Sequence, residues 1–259
     1  MRRLAALVVV GLVWVPVAAA QFVGPGGSIP VVANTPGAGG TFWRSDVSVL
    51  NLNDWDVEIV MILLPEIRDG SQTFEPVVTD PVLVPAGSQR TMSNVLQTEF
   101  GLTNKKGALS VLSLDGSPLV MASRTYTFDG EGGSYGQDVH AILAANQAWV
   151  AGIRNDSLFR TNVGVFLPVD PMPGQPAVFT VTVHDGDGEI AGQGTISFAQ
   201  AGVQQKSVDA FGATNLVDGS VVLRCSDPTL AWYAYASRVD QVTGDAVYRA
   251  ARGRQSDLP

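Results

Sequence analysis

Cysteine and histidine are nearly absent from this chain of 259 residues, which contains one cysteine and two histidines. The single cysteine, Cys225, excludes an intrachain disulfide, so packed hydrophobic cores must supply the stability. His140 and His184 lie far apart in the sequence and, with one cysteine, give no spacing of zinc ligands. We therefore expect no cofactor, and we interpret Cys225 as a buried thiol in a strand.

Charged side chains are also few, at 15% of the chain, and the acidic ones outnumber the basic ones by 24 to 16. The resulting net charge of −8 repels phosphate backbones and anionic lipid surfaces. Nucleic acid is therefore excluded as an expected partner, and we interpret the acidity as a solubility feature.

The chain lacks an apolar run long enough to span a bilayer, which takes about 20 residues. Its apolar stretch over residues 4–17 follows Arg2 and Arg3 and ends in three alanines before Gln21. This order of basic, apolar and small residues is typical of a secretory signal peptide. We predict a signal peptide over residues 1–20, no membrane span in the mature chain, and a secreted, cell-surface or periplasmic location.

Helical periodicity is almost missing, and one strand-like stretch occurs twice. Residues 42–50 read FWRSDVSVL, and residues 158–166 read LFRTNVGVF. Both alternate with the period of two that is typical of a half-buried strand, so we expect Trp43, Ser45, Val47 and Val49 to face the core. The echo predicts an internal duplication.

Three further landmarks recur in the same order in both halves: an Ala-Gly pair, an Ala-Ser-Arg strand and a glycine turn followed by tyrosine. Short strands with frequent turn signals predict an all-β fold of two tandem immunoglobulin-like antiparallel β-sandwich domains. The predicted boundaries are a flexible lead over 21–40, sandwich one over 41–146, sandwich two over 147–251 and a tail over 252–259. Within the lead, residues 29–33 suit an opening edge strand, because proline is tolerated there.

The sequence resembles a group of uncharacterised secreted bacterial proteins with tandem β-sandwiches. The resemblance rests on Trp43-Arg44-Ser45-Asp46-Val47, on Ser123-Arg124-Thr125-Tyr126 and on the turn at Gly133-Ser134-Tyr135-Gly136. The second copy differs, with Phe159 in place of the tryptophan. This group resembles immunoglobulin-like or fibronectin-like surface modules, which implies export and a sandwich fold and brings no catalytic residues.

Ser134 lies in a Gly-x-Ser-x-Gly sequence, the pattern of the nucleophile elbow of hydrolases. That elbow needs a strand, a sharp turn and a helix, whereas the residues after Ser134 read as another strand. A serine hydrolase that uses Ser134 and His140 is therefore the second alternative function, and we expect no enzyme.

Asp185 and Asp187 lie in an Asp-Gly-Asp-Gly-Glu stretch that invites a calcium interpretation, since Ca²⁺ binds several carboxylate and carbonyl oxygens. The same stretch separates two alternating apolar runs, which is typical of a hairpin turn. We expect the turn, and the two aspartates are the weak metal candidates.

Three aromatic side chains could bind sugar rings. Trp55 lies among Asp54, Asp56 and Glu58 in a predicted turn. Tyr233 and Tyr235 share one face of a late strand, where we expect them in the core, although a stacking platform is the alternative. They are the weak binding candidates for the first alternative function, a carbohydrate-binding protein.

Four arginines occupy matched positions in the two halves: Arg44 with Arg160, and Arg124 with Arg238. Retention in both copies favours a structural role, and we expect each head group to form hydrogen bonds within its own domain. The sequence as a whole predicts a secreted, non-enzymatic binding or structural module whose partner is an extracellular protein or glycan.

Overall fold

The computed structural model describes residues 22–67, 75–140, 143–144 and 147–253. More than half of these residues lie in strands, the strands pair antiparallel and helix is confined to short turns, so the all-β prediction is confirmed. The predicted signal peptide lies outside the described residues. No helix in the described ranges is long and apolar enough to cross a membrane.

The strands of the first half form one sheet. They are β1 Phe22–Gly24, β2 Gly26–Pro36, β3 Phe42–Asn51, β4 Val57–Pro65, β5 Val77–Val78, β6 Val82–Val84, β7 Gln89–Met92, β8 Lys105–Ser113, β9 Leu119–Phe128 and β10 Ser134–Asp138. The order through the sheet is β1-β9-β3-β2-β8-β4-β5, with β10 on β9, β6 on β4 and β7 on β3. A short helix, α1 Val95–Thr98, follows β7.

This sheet folds over on itself around β2. The C-terminal residues of β2 pair with β3, whereas most of the strand pairs with β8. Val47 of β3 and Met61 of β4 consequently pack in one buried cluster although two strands separate β3 from β4 in the sheet. The result is a sandwich with a single apolar core.

The segment expected as a flexible lead is instead mostly strand from Phe22 to Pro36, and β2 is an internal strand rather than an edge strand. The prediction of an edge strand was wrong because Pro30 lies within a register shift between Ile29 and Val32. A bulge leaves a residue unpaired, so a proline there removes no hydrogen bond from the ladder.

The second half forms two facing sheets. Its strands are β11 Leu143–Ala144, β12 Gln147–Ala151, β13 Phe159–Leu167, β14 Ala177–Asp185, β15 Ile190–Phe198, β16 Gly202–Ser207, β17 Gly219–Cys225, β18 Trp232–Asp240 and β19 Ala246–Ala250. One sheet runs β11-β18-β13-β16 with β19 on β18, and the other runs β12-β17-β14-β15. Val163 of the first sheet and Phe179 of the second share a fully buried cluster.

The two halves contact each other through a third, smaller cluster. Leu64 and Ala108 of the first half pack against Phe166 and Val203 of the second. Glu66 also forms a parallel bridge with Val203, and the amide of Ile67 donates to the Val203 carbonyl at 2.9 Å. These contacts hold β16 against the ends of β4 and β8. The domain boundaries themselves stay a prediction.

The two strands that share the repeated sequence pattern, β3 and β13, form the same kind of pairing, but their partner strands are offset by one residue. Asp46 of β3 lies opposite Arg124 of β9, whereas Asn162 of β13 lies opposite Ser237 of β18. Arg238 is consequently opposite Thr161 instead. A shift of one residue reverses the face of a side chain, so the matching Ala-Ser-Arg letters occupy different structural positions.

Candidate functional site

A cleft of about 550 Å³ lies where the outer face of β13 and β18 meets the first sandwich. Small-molecule sites have volumes of about 300–1,000 Å³ and favour the contacts between domains. The first half contributes Val31, Ala33, Thr35, Pro36, Gly37, Trp43, Glu66, Lys106, Thr125 and Gln137. The second half contributes Arg160, Asn162, Gln205, Tyr235, Ser237, Val239 and Ala246.

Arg160 is the unpaired cation of this cleft. The alternation of β13 turns Arg160 and Asn162 away from the core that Thr161 and Val163 enter, and therefore towards the first sandwich. The Arg160 side chain is half-buried and has no hydrogen bond or ion pair in the described part of the chain. Burial lowers the pKa of its guanidinium, which remains charged at neutral pH.

Gln137 presents a buried acceptor on the opposite wall. Its amide nitrogen donates to the Ser237 hydroxyl at 3.5 Å, which joins β10 to β18 across the cleft. Its carbonyl oxygen is buried without a hydrogen-bond partner. Because most buried polar atoms are paired, an orphan acceptor in a cavity marks a place where a donor is needed.

The floor of the cleft is rigid and uncharged overall. The hydroxyl of buried Tyr235 donates to the side-chain oxygen of Gln205 at 2.9 Å, and the Tyr235 ring stacks on Tyr248. Burial raises the pKa of Tyr235, so its hydroxyl remains protonated at neutral pH. Beside this floor, Lys106 and Glu66 form an ion pair of 2.8 Å that neutralises both charges.

Trp43 lines the cleft, which corrects its assignment to the core. Ser45, Val47 and Val49 are fully buried, as the alternation of β3 predicts, but Trp43 is only half-buried. Trp43 is the second residue of β3, at the margin of the first core and next to the cleft.

The four matched arginines do not form the expected set of hydrogen bonds. Only Arg124 has a side-chain hydrogen bond in the described part of the chain, to the Ser134 hydroxyl at 2.9 Å. Arg44 and Arg238 lie over aromatic rings instead, Arg44 over Phe42 and Phe128, and Arg238 over Phe159. Cation–π contacts replace hydrogen bonds at these two positions.

The two tyrosines of β18 do not form a platform for sugar rings. Tyr235 is buried, in agreement with the expectation of a core position. Tyr233 stacks on Phe166 beside the cluster that joins the two halves. The Tyr233 ring therefore supports the contact between the sandwiches.

Trp55 is the exposed aromatic candidate, with 54% of its surface accessible. Its indole N–H donates to Asp115 and to the Ser117 hydroxyl, at 3.3 and 3.2 Å. These bonds tie the turn before β4 to the turn before β9. We assign Trp55 to turn packing.

Ser134 and His140 do not form a catalytic pair. Ser134 begins β10 and accepts the hydrogen bond from Arg124, while His140 follows the same strand and packs edge-on against Tyr248. Six residues of extended chain place them about 20 Å apart. Burial lowers the pKa of His140, and no helix follows Ser134, as an elbow would need.

Asp185 caps the predicted hairpin turn between β14 and β15. One carboxylate oxygen accepts the amides of Asp187 and Glu189, at 3.0 and 2.9 Å. This bonding accounts for Asp185 without a cation. Among the described residues, no three histidine, cysteine, aspartate or glutamate side chains come together as metal ligands.

No protein-family model and no curated protein sequence matches this chain. The resemblance to secreted bacterial sandwich proteins therefore stays a prediction. Sequence reasoning identified Arg160 but missed Gln137, Gln205 and Ser237. These residues come from three strands distant in sequence, and no spacing could have indicated that they share one cleft.

Proposed function

We propose that this protein is exported and acts outside the cytoplasm as a non-enzymatic binding module, with the cleft between the two sandwiches as its binding site. The observation that carries this proposal is that one cavity contains two polar side-chain groups without a partner. Arg160 needs an acceptor, and the Gln137 carbonyl needs a donor.

The geometry favours binding over catalysis. The described residues that line the cleft include no nucleophile hydrogen-bonded to a base, which covalent catalysis needs. The Tyr235 hydroxyl on the floor donates to Gln205 and is held protonated by burial. The polar groups are fixed by strands on both sides, so they are pre-organised for a ligand.

The test is a glycan-array and small-molecule screen of the chain from residue 21 onward, in parallel with a blocked cleft. Asn162→Trp adds a bulky ring to the cleft wall at a half-buried position. Gln89→Trp places the same ring at an exposed position of β7 and serves as the control.

We expect ligands that bind the wild-type chain and the Gln89→Trp variant but not Asn162→Trp, with all three proteins showing the same cooperative thermal unfolding. Ligands retained equally by Asn162→Trp would place the binding site elsewhere. A screen without any ligand would contradict the binding function.

A further inference from the structure

We infer that the ligand of the cleft is a small hydroxylated carboxylate of the uronic-acid type, held by its carboxylate at Arg160 and by a hydroxyl at Gln137. This inference rests on the proposed function and adds the class of ligand. Most polar and charged groups around the cleft already bond to other protein groups, and those without a partner indicate what the ligand must offer.

The charge of the cleft is the first argument. Lys106 and Glu66 neutralise each other in a 2.8 Å ion pair, which leaves the Arg160 guanidinium as the uncompensated charge among the residues that line the cleft. A half-buried cation gains more from an anion than an exposed one does, because water and salt screen it less. The fixed fork of a guanidinium matches a carboxylate.

The carboxylates that line the neighbouring depressions with Arg160 bond to other groups instead. Asp240 accepts the backbone amides of Val242 and Thr243. Asp156 forms a 2.7 Å ion pair with Arg154. Asp209 accepts from the side chain of Asn155 and from Ser207. None of the three forms an ion pair with Arg160.

The orphan acceptor is the second, independent argument. An acceptor that is buried without a partner costs free energy, and a ligand hydroxyl would supply the missing donor. A simple carboxylate without a hydroxyl group offers no such donor. A hydroxylated acid satisfies both Gln137 and Arg160.

The shape of the wall is the third argument. Trp43 is a half-buried aromatic residue that lines the cleft, and aromatic rings pack against apolar surfaces such as the face of a sugar ring. Asn162 and Ser237 add further polar groups on the opposite wall. A ring that carries hydroxyls and a carboxylate uses all of these surfaces.

The experiment is isothermal titration calorimetry of the chain from residue 21 onward, with D-galacturonate and D-glucuronate compared with galactose and glucose. We expect both acids to bind at least about tenfold more tightly than their neutral counterparts. Arg160→Gln should remove this preference, and Arg160→Lys should retain part of it, because lysine retains the charge but not the fork. Arg90→Gln, at an exposed position outside the cleft, should change nothing.

A variant at the opposite wall separates charge from hydrogen bonding. Gln137→Glu retains the shape of the side chain but adds a negative charge, so it should weaken the binding of the acids more than that of the neutral sugars. Equal affinity for acids and neutral sugars, abolished in both cases by Asn162→Trp, would overturn the carboxylate inference while the binding function stands. An acid preference that survives in Arg160→Gln would also overturn it, as would the failure of all four sugars to bind.

Discussion

Gly164 of β13 lies directly beneath the ring of Tyr235 on β18, and a Cβ atom built on Gly164 would overlap that ring. At the corresponding pair in the first half, Ser48 lies opposite Ala122. The second half thus pairs a glycine with a large residue where the first half pairs a serine with a small one. The ring that occupies this space forms the floor of the cleft and reaches Gln205.

Gly164→Ser should lower the free energy of unfolding by about 1–3 kcal/mol, because the Tyr235 ring has to move out of its packed position. Urea unfolding measures this change. In a Tyr235→Leu background the cost should shrink, since the two residues are in contact and their effects are coupled. Equal costs in both backgrounds would show that the ring does not exclude a side chain at Gly164.

Asn51→Ala should lower the free energy of unfolding by about 2–4 kcal/mol, because buried backbone groups lose their partner. The Asn51 amide donates to the carbonyls of Trp55, Val84 and Pro85 and closes the turn between β3 and β4. Chemical denaturation gives the value. Gln89→Ala, at an exposed position, should change it by no more than about 0.5 kcal/mol; a comparable loss in the two variants would contradict a special role for Asn51.

Acid should destabilise the protein. A hydrogen bond from the Ser113 hydroxyl lowers the pKa of Asp115, and bonds from Arg154 lower the pKa of Asp156. A carboxyl group whose pKa is lower in the folded state stabilises the fold above the unfolded value of about 3.9, and this contribution is lost as the pH falls. Thermal unfolding midpoints measured from pH 6 to pH 2 should therefore decrease.

Two variants test which carboxylates are responsible for that decrease. Asp115→Asn should make the decrease shallower, since it removes a carboxyl group with a lowered pKa. Asp54→Asn, at an exposed position without a side-chain hydrogen bond in the described residues, is the control. Midpoints that stay constant or rise towards pH 2 would contradict the prediction.

Cys225 should react slowly with a thiol reagent in the native protein. It is half-buried against the second core, and burial raises the pKa of its thiol, so little thiolate is present at neutral pH. We expect labelling in the native state to be about tenfold slower or more than in denaturant, with Cys225→Ser as the blank. Labelling that is equally fast in both conditions would show that this thiol is accessible and activated.

Much of the secondary structure could be predicted from local patterns. The alternation of β3 correctly placed Val47 and Val49 in the core, and Asp185 forms the expected turn. The prediction failed where pairing overrides a local preference. Pro30 favoured an edge strand in the sequence, but it lies at a bulge of an internal strand, where no ladder hydrogen bond is needed.

The candidate site was predictable only in part. The sequence indicated Arg160 because Arg44 occupies the matching position in the first half. It could not show that Arg44 lies over phenylalanine rings whereas Arg160 faces a cleft. The match of Arg124 with Arg238 was misleading for a related reason. Pairing of β18 with β13 is offset by one residue, which reverses the face that Arg238 occupies.

The sequence by itself determined the all-β class, the alternation that buries Val47 and Val49, and the turn at Asp185, because these follow from periods and turn chemistry within a few residues. Only the tertiary structure decided the register between strands and the contact of β16 with the first sandwich. Those depend on packing between residues far apart in the chain. The cleft that unites Arg160 with Gln137 is a product of that packing, and so is the function proposed for it.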